Sequence, residues 1–217
     1  MSASFADRSI GEIAATLPGA TAIFRRHKLD FCCGGGIPLA EAAAKRAAPL
    51  NEIEADLAAL TPSDAALPQS TAALVDLIEQ RYHATHRREL PELINLARRV
   101  ERVHADNPNV PAGLADLLTR MQEELGDHMA KEENVLFPMM RRGGHPMIAQ
   151  PIAMMRDEHD DHGEHLETME RITQGGVPPE GACNSWRALY TGTRKFADDL
   201  VEHVHIENNI LFPRFVG

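Results

Sequence analysis

Aromatic residues are scarce, at 5% of the chain with one Trp and two Tyr, whereas Ala, Leu, Glu and Met recur. That balance disfavours strands, which draw on aromatic and β-branched side chains, and favours helix. Cysteine is rare too: three in 217 residues, two of them adjacent, make a poor disulfide framework and point to a reducing compartment. Nowhere do about 18 apolar residues run uninterrupted, and the N-terminus lacks a basic stretch followed by an apolar core and a small-residue cleavage site. The expectation is a cytoplasmic chain that neither enters nor crosses a membrane. Positive charge is also short, and a net charge of −10 without a large basic cluster excludes nonspecific binding to nucleic acid or to anionic lipid.

What is present is a repeat. His128 to Pro138 reads HMAKEENVLFP and His203 to Pro213 reads HVHIENNILFP, the second copy following the first by 75 residues. An earlier pair, HxxHxxxL at His83 and again at His159, is offset by 76. Each half thus supplies one helix with HxxH and one with HxxxE. Two copies of so long a unit predict a duplicated helical hairpin closing into one up-down four-helix bundle, since solenoids need three or more.

Ahead of the bundle, Ser9-Ile10-Gly11-Glu12 has the form of a capping box, followed by short helices to Leu17, through Lys28, over Pro38 to Ala48, and over Glu52 to Leu60 with Asn51 as cap. Asp30 to Gly36, with two cysteines and three glycines, reads as a turn. The predicted organisation is all-α: a small helical N-terminal domain over residues 1–62, a Pro- and Ser-containing linker over 63–70, and the bundle over 71–217. The bundle helices are expected at about Thr71–His104 with Pro91 as a kink, from Pro111 onward, at Pro146–Thr173, and at Ala182–Phe215. Their apolar seams run through Leu125, His128, Glu132, Val135 and Met139 in the second, and Leu200, His203, Glu207 and Ile210 in the fourth.

Residues four apart on a helix share a face, with Cβ atoms about 5–6 Å apart, so His128 with Glu132 and His203 with Glu207 form chelating pairs. Burying a carboxylate or imidazole unpaired costs several kcal/mol, and a sequence doing so in every long helix needs a compensating cation. A donor set of imidazole and carboxylate without thiolate suits Fe or Mn, and also Zn, and predicts two non-haem Fe ions with Glu132 and Glu207 bridging. Coordination positions remain for an oxo bridge, O2 or NO. Spacing leaves the choice open between His83 and His86, and between His159 and His162. Glu158, Asp160 and Glu164 read as solvated charges or as acceptors for ligand N–H groups, and His27, His104, His145 and His205 carry no partner pattern.

The segments GEIAATLPGATAIFRRHKLDFCCGGG, RYHATHRRELPEL, EELGDHMAKEENVLFPMM, DEHDDHGEH and EHVHIENNILFPRF, in that order, resemble the hemerythrin-like di-iron proteins of the RIC type, for repair of iron centres (YtfE-like). The resemblance implies a hemerythrin-like bundle whose oxo-bridged di-iron ligands are His83, His128, Glu132, His159, His203 and Glu207, and it is what selects His83 and His159. It implies repair of iron–sulfur clusters damaged by nitrosative or oxidative stress, by delivery of iron to damaged client proteins. NO and O2 are the small ligands it implies. Oxygen-carrying hemerythrins differ, with five histidine ligands and no double-cysteine domain. The oligomeric state stays open, a homodimer being compatible with the chain.

Cys32 and Cys33 read as an exposed, flexible thiol pair suited to hold iron, accept a nitrosyl group or exchange with a partner's thiols, a disulfide between neighbours being strained. Cys183 has no partner in sequence and reads as structural. Besides the iron donor, two other readings stand: an enzyme reducing two NO to N2O at the diferrous centre, and a sensor or carrier of diatomic gas.

Overall fold

The computed structural model describes residues 4–60 and 67–216. Residues 63–66 of the expected linker lie outside the described residues. No strand forms among them, only one isolated bridge between Ser9 and Pro38. The chain divides into two compact units: Val75–Leu200, and the residues up to Leu74 together with those from Val201 onward.

In the latter unit, α1 (Ile10–Thr16), α2 (Ala20–Arg26), α3 (Leu39–Lys45) and α4 (Leu50–Ala58) surround Ile10, Ile13, Phe24, Phe31, Leu39, Ile53 and Leu57, all at most 1% exposed. Ser9 caps α1, its hydroxyl accepting from the Glu12 N–H at 3.2 Å, as the capping box requires. The expected Asn51 cap is corrected. Pro49, lacking an N–H, takes the cap position and α4 starts two residues earlier, at Leu50. Glu54 instead accepts from the Phe5 and Ala6 N–H groups at 2.8 and 3.1 Å.

Most of the residues of the long helices fall in the Val75–Leu200 unit, the first helix starting just before it and the fourth ending beyond it. A first one runs as α5 (Thr71–Leu77), a π-turn π1 (Ile78–His83) and α6 (Ala84–Val103), with Pro91 inside α6. The second is α7 (Leu114–Lys131), π2 (Glu132–Leu136) and α8 (Phe137–Arg141); the third is α9 (Ala149–Ile172). The fourth, α10 (Asn184–Ile206), continues into π3 (Glu207–Leu211). α6 lies against α7, and α7 against α9. α10 meets α6 where Gly192 leaves room for Leu93, whose methyl would stand 2.5 Å from an added Cβ. No described helix is long and apolar enough to cross a membrane.

The π-turns correct the expected seams. In π2 and π3 the N–H groups of Phe137 and Phe212 reach back five residues, to the carbonyls of Glu132 and Glu207. Such a turn takes up one more residue than an α-turn, so the buried face moves on by one. Leu136 and Met140 are buried in place of Val135, which is 47% exposed, and Met139. Leu211 is buried in place of Ile210. The carboxamides of Asn134 and Asn209, equivalent in the two copies, donate to carbonyls four residues back, Ala130 at 2.7 Å and His205 at 3.3 Å.

Candidate metal centre

His83 closes π1, Glu132 opens π2 and Glu207 opens π3. All six expected ligands, His83, His128, Glu132, His159, His203 and Glu207, are at most 1% exposed.

Within Val75–Leu200, the Nε2 atoms of His83 and His128 face one carboxylate oxygen, Glu132 Oε2, at 3.3 and 3.5 Å. His159 Nε2 lies 3.3 Å from His128 Nε2. The opposite ring nitrogens are committed elsewhere. His83 Nδ1 donates to Glu133 Oε1 at 2.7 Å, and His128 Nδ1 to Glu158 Oε2 at 2.8 Å. A carboxylate accepts only, so Nδ1 carries the proton and, in a neutral ring, Nε2 presents a lone pair. Those lone pairs point at an anionic oxygen and at another imidazole, in surroundings closed to water. That arrangement repels itself unless a cation stands among the donors, so these residues fit a metal ion.

The two outer carboxylates are themselves anchored. Arg87 grips Glu133 at 2.7 and 2.9 Å, and Lys131 reaches Glu158 at 2.5 Å. Hydrogen bonding from His128 and then Lys131 outweighs partial burial and brings the Glu158 carboxyl down to about 2. Burial pushes Glu133 upward, but Arg87 and His83 prevail and hold it below the usual range. Glu158 is thus the acceptor that the sequence left undecided, while Asp160 and Glu164 are exposed. Glu133 was not foreseen; its signal was only adjacency to Glu132. His86 and His162, the unchosen partners of His83 and His159, are buried, His86 edge-on to Phe196 and His162 edge-on to His128.

In the other unit, His203 Nε2 and Glu207 Oε1 lie 3.1 Å apart across one helical turn. The two residues after Glu207 hold the cysteine loop: Asn208 and Asn209 donate to the Cys32 carbonyl at 3.2 Å, and Asn209 also to that of Phe31 at 3.2 Å. His205 is buried edge-on against Phe31, centroids 5.2 Å apart, and burial lowers its pKa. The histidine without a partner pattern is therefore a packing element of this unit. His104 has one too, its Nε2 lying 3.2 Å from Cys183 Sγ.

Cys32 and Cys33 are half-buried thiols where an exposed pair was expected, with Sγ atoms 3.7 Å apart. Hydrogen bonding with Cys33, burial and the Asp30 charge hold the Cys32 thiol well above its ordinary value. Asp30 shapes the loop. Its Oδ1 accepts from the Cys33 N–H at 3.1 Å and its Oδ2 from the Gly34 N–H at 3.0 Å. At Gly35 an added Cβ would stand 2.6 Å from the Phe31 carbonyl oxygen, so the turn admits only glycine there.

Comparison with known proteins matches two families along the chain. Residues 74–215 match the hemerythrin HHE cation binding domain, and residues 6–61 match a domain of unknown function, DUF542. Over 216 residues the chain is 50% identical to the iron-sulfur cluster repair protein YtfE of Pectobacterium atrosepticum, covering 97% of each. It is 47% identical over 214 residues to the protein of the same name from Citrobacter koseri, again covering 97% of each.

Proposed function

Because the chain belongs to the hemerythrin HHE family, in the group of YtfE iron–sulfur cluster repair proteins, we propose that it repairs damaged iron–sulfur clusters by supplying iron from a di-iron centre in its bundle. The six expected ligands, His83, His128, Glu132, His159, His203 and Glu207, would hold the two ions, with Glu132 and Glu207 as the bridging carboxylates. The supporting observation is the pair of imidazoles whose Nδ1 protons are committed to Glu133 and Glu158, leaving Nε2 lone pairs aimed at a buried carboxylate.

Iron bound here supplies exchangeable ferrous ions together with affinity for NO and O2. The chain's own residues tune how firmly the cargo is held. Arg87 and Lys131 fix the two outer carboxylates, which orient His83 and His128 and keep their rings in the ligating tautomer. The client is a damaged iron–sulfur protein, and a cytoplasmic location suits both free thiols and ferrous cargo.

One anaerobic mixture tests the reading. Reduced, iron-loaded protein is added to an NO-damaged client, and cluster recovery and N2O are measured together. Recovery with matching loss of bundle iron supports donation. N2O without recovery would replace it with NO reduction.

A further inference from the structure

We propose that Asp30, Cys32 and Cys33 form a second cation site, separate from the bundle ligands and selective for a thiophilic divalent transition-metal ion. One carboxylate oxygen and the two sulfurs all lie within 4.8 Å of one another. Their spacing is that of ligands already gathered around an ion. Sulfurs bound at about 2.3 Å to a tetrahedral ion stand about 3.7–3.8 Å apart, and a sulfur and an oxygen about 3.6 Å. The sulfurs here are 3.7 Å apart, and Cys32 Sγ is 3.3 Å from Asp30 Oδ1.

The donors are also held in place from outside. The backbone N–H groups of Cys33 and Gly34 fix both Asp30 oxygens, and Asn208 and Asn209 hold the Cys32 carbonyl. Gly34 cannot be enlarged without crowding, since a Cβ there would meet Asp30 Oδ2 at 2.8 Å. Pre-ordering of this kind lowers the cost of assembling a site. Three protein donors leave a fourth tetrahedral position for water or a client's thiolate, the pattern of sites that exchange ligands rather than of closed structural ones. Binding exchanges two thiol protons for the ion, with no change of oxidation state. As a cation site the inference stands alone; as a stopping place for iron on its way to a client it rests on the repair reading.

The test adds Co2+ to the reduced, iron-loaded full chain and follows the near-ultraviolet thiolate-to-cobalt charge-transfer absorption, which an imidazole and carboxylate centre does not give. The band is expected to saturate at one equivalent per chain, to vanish in Cys32→Ser and in Cys33→Ser, and to persist in Cys183→Ser. In Asp30→Asn, which keeps an acceptor for the Cys33 N–H, loss of a direct ligand should weaken Co2+ binding by at least the roughly tenfold that outer-shell losses cost. Alkylating the native thiols must abolish the band as well, a control needing no variant to fold. Absence of the band, saturation at half an equivalent, or unchanged affinity in Asp30→Asn would overturn the assignment. Cluster recovery by a chain without the cobalt band would leave the bundle as donor and remove only this site.

Discussion

Asn209 donates one carboxamide to the carbonyls of both Phe31 and Cys32, at 3.2 Å each, from a position two residues after Glu207. With Asn208, which also donates to the Cys32 carbonyl, it ties the loop carrying the thiols to the turn carrying a proposed ligand.

Replacing Asn209 by Ala removes those hydrogen bonds, taking the carboxamide donor from the Phe31 carbonyl and leaving the Cys32 carbonyl to Asn208 alone, at a cost of about 1–3 kcal/mol. The thermal midpoint should fall and alkylation of Cys32 and Cys33 should quicken. Unchanged alkylation rates would show that the carboxamide does not restrain the loop.

Glu132→Gln and Glu207→Gln keep shape and burial but remove the charge that two ions would share. Each should lower iron content and abolish the absorption of an oxo-bridged di-iron centre. Wild-type iron stoichiometry in both variants rules out the bridging role.

Glu133→Gln and Glu158→Gln leave every direct ligand in place and loosen only ring orientation. Iron retention against a competing chelator should drop about 10–100-fold. Arg87→Ala and Lys131→Ala should shift it in the same direction by less, because they act one bond further out.

Asp199 supplies a pH test on a group that is not itself a proposed ligand. Burial alone would raise its pKa, but Arg81 at 2.7 Å and Lys195 at 2.9 Å outweigh that and hold it below the ordinary 3.8. A carboxylate depressed in the folded state stabilises fully above its unfolded pKa, and the contribution disappears as pH falls through the folded one. The denaturation midpoints of wild type and Asp199→Asn should therefore differ at neutral pH and converge below about pH 4. A gap that persists in acid would mean that the carboxylate charge is not the source.

Much of this was legible in the sequence for a definite reason. His128 with Glu132 and His203 with Glu207 sit on faces that period 3.6 defines, and duplication repeats the signal, so chance spacing is a poor explanation. The register beyond each glutamate was not legible. Val135 and Ile210 continue the α-helical count, and only the π-turn, which no hydrophobic pattern announces, moves burial to Leu136 and Leu211. The Asn51 cap failed because local capping preference competed with a preceding proline. Glu133 stayed hidden because its neighbour in sequence is the stronger ligand type, and its partners, His83 and Arg87, lie about fifty residues back.

A widened helical turn holds one more residue than an α-turn and shifts the register of everything after it. π2 and π3 occur at equivalent places in the two copies, each followed by Phe and Pro and each carrying the same back-bonded asparagine. The repeated sequence thus reproduces a backbone irregularity along with the ligand pair, breaking the helical register just after each glutamate, whereas π1 has no counterpart around His159.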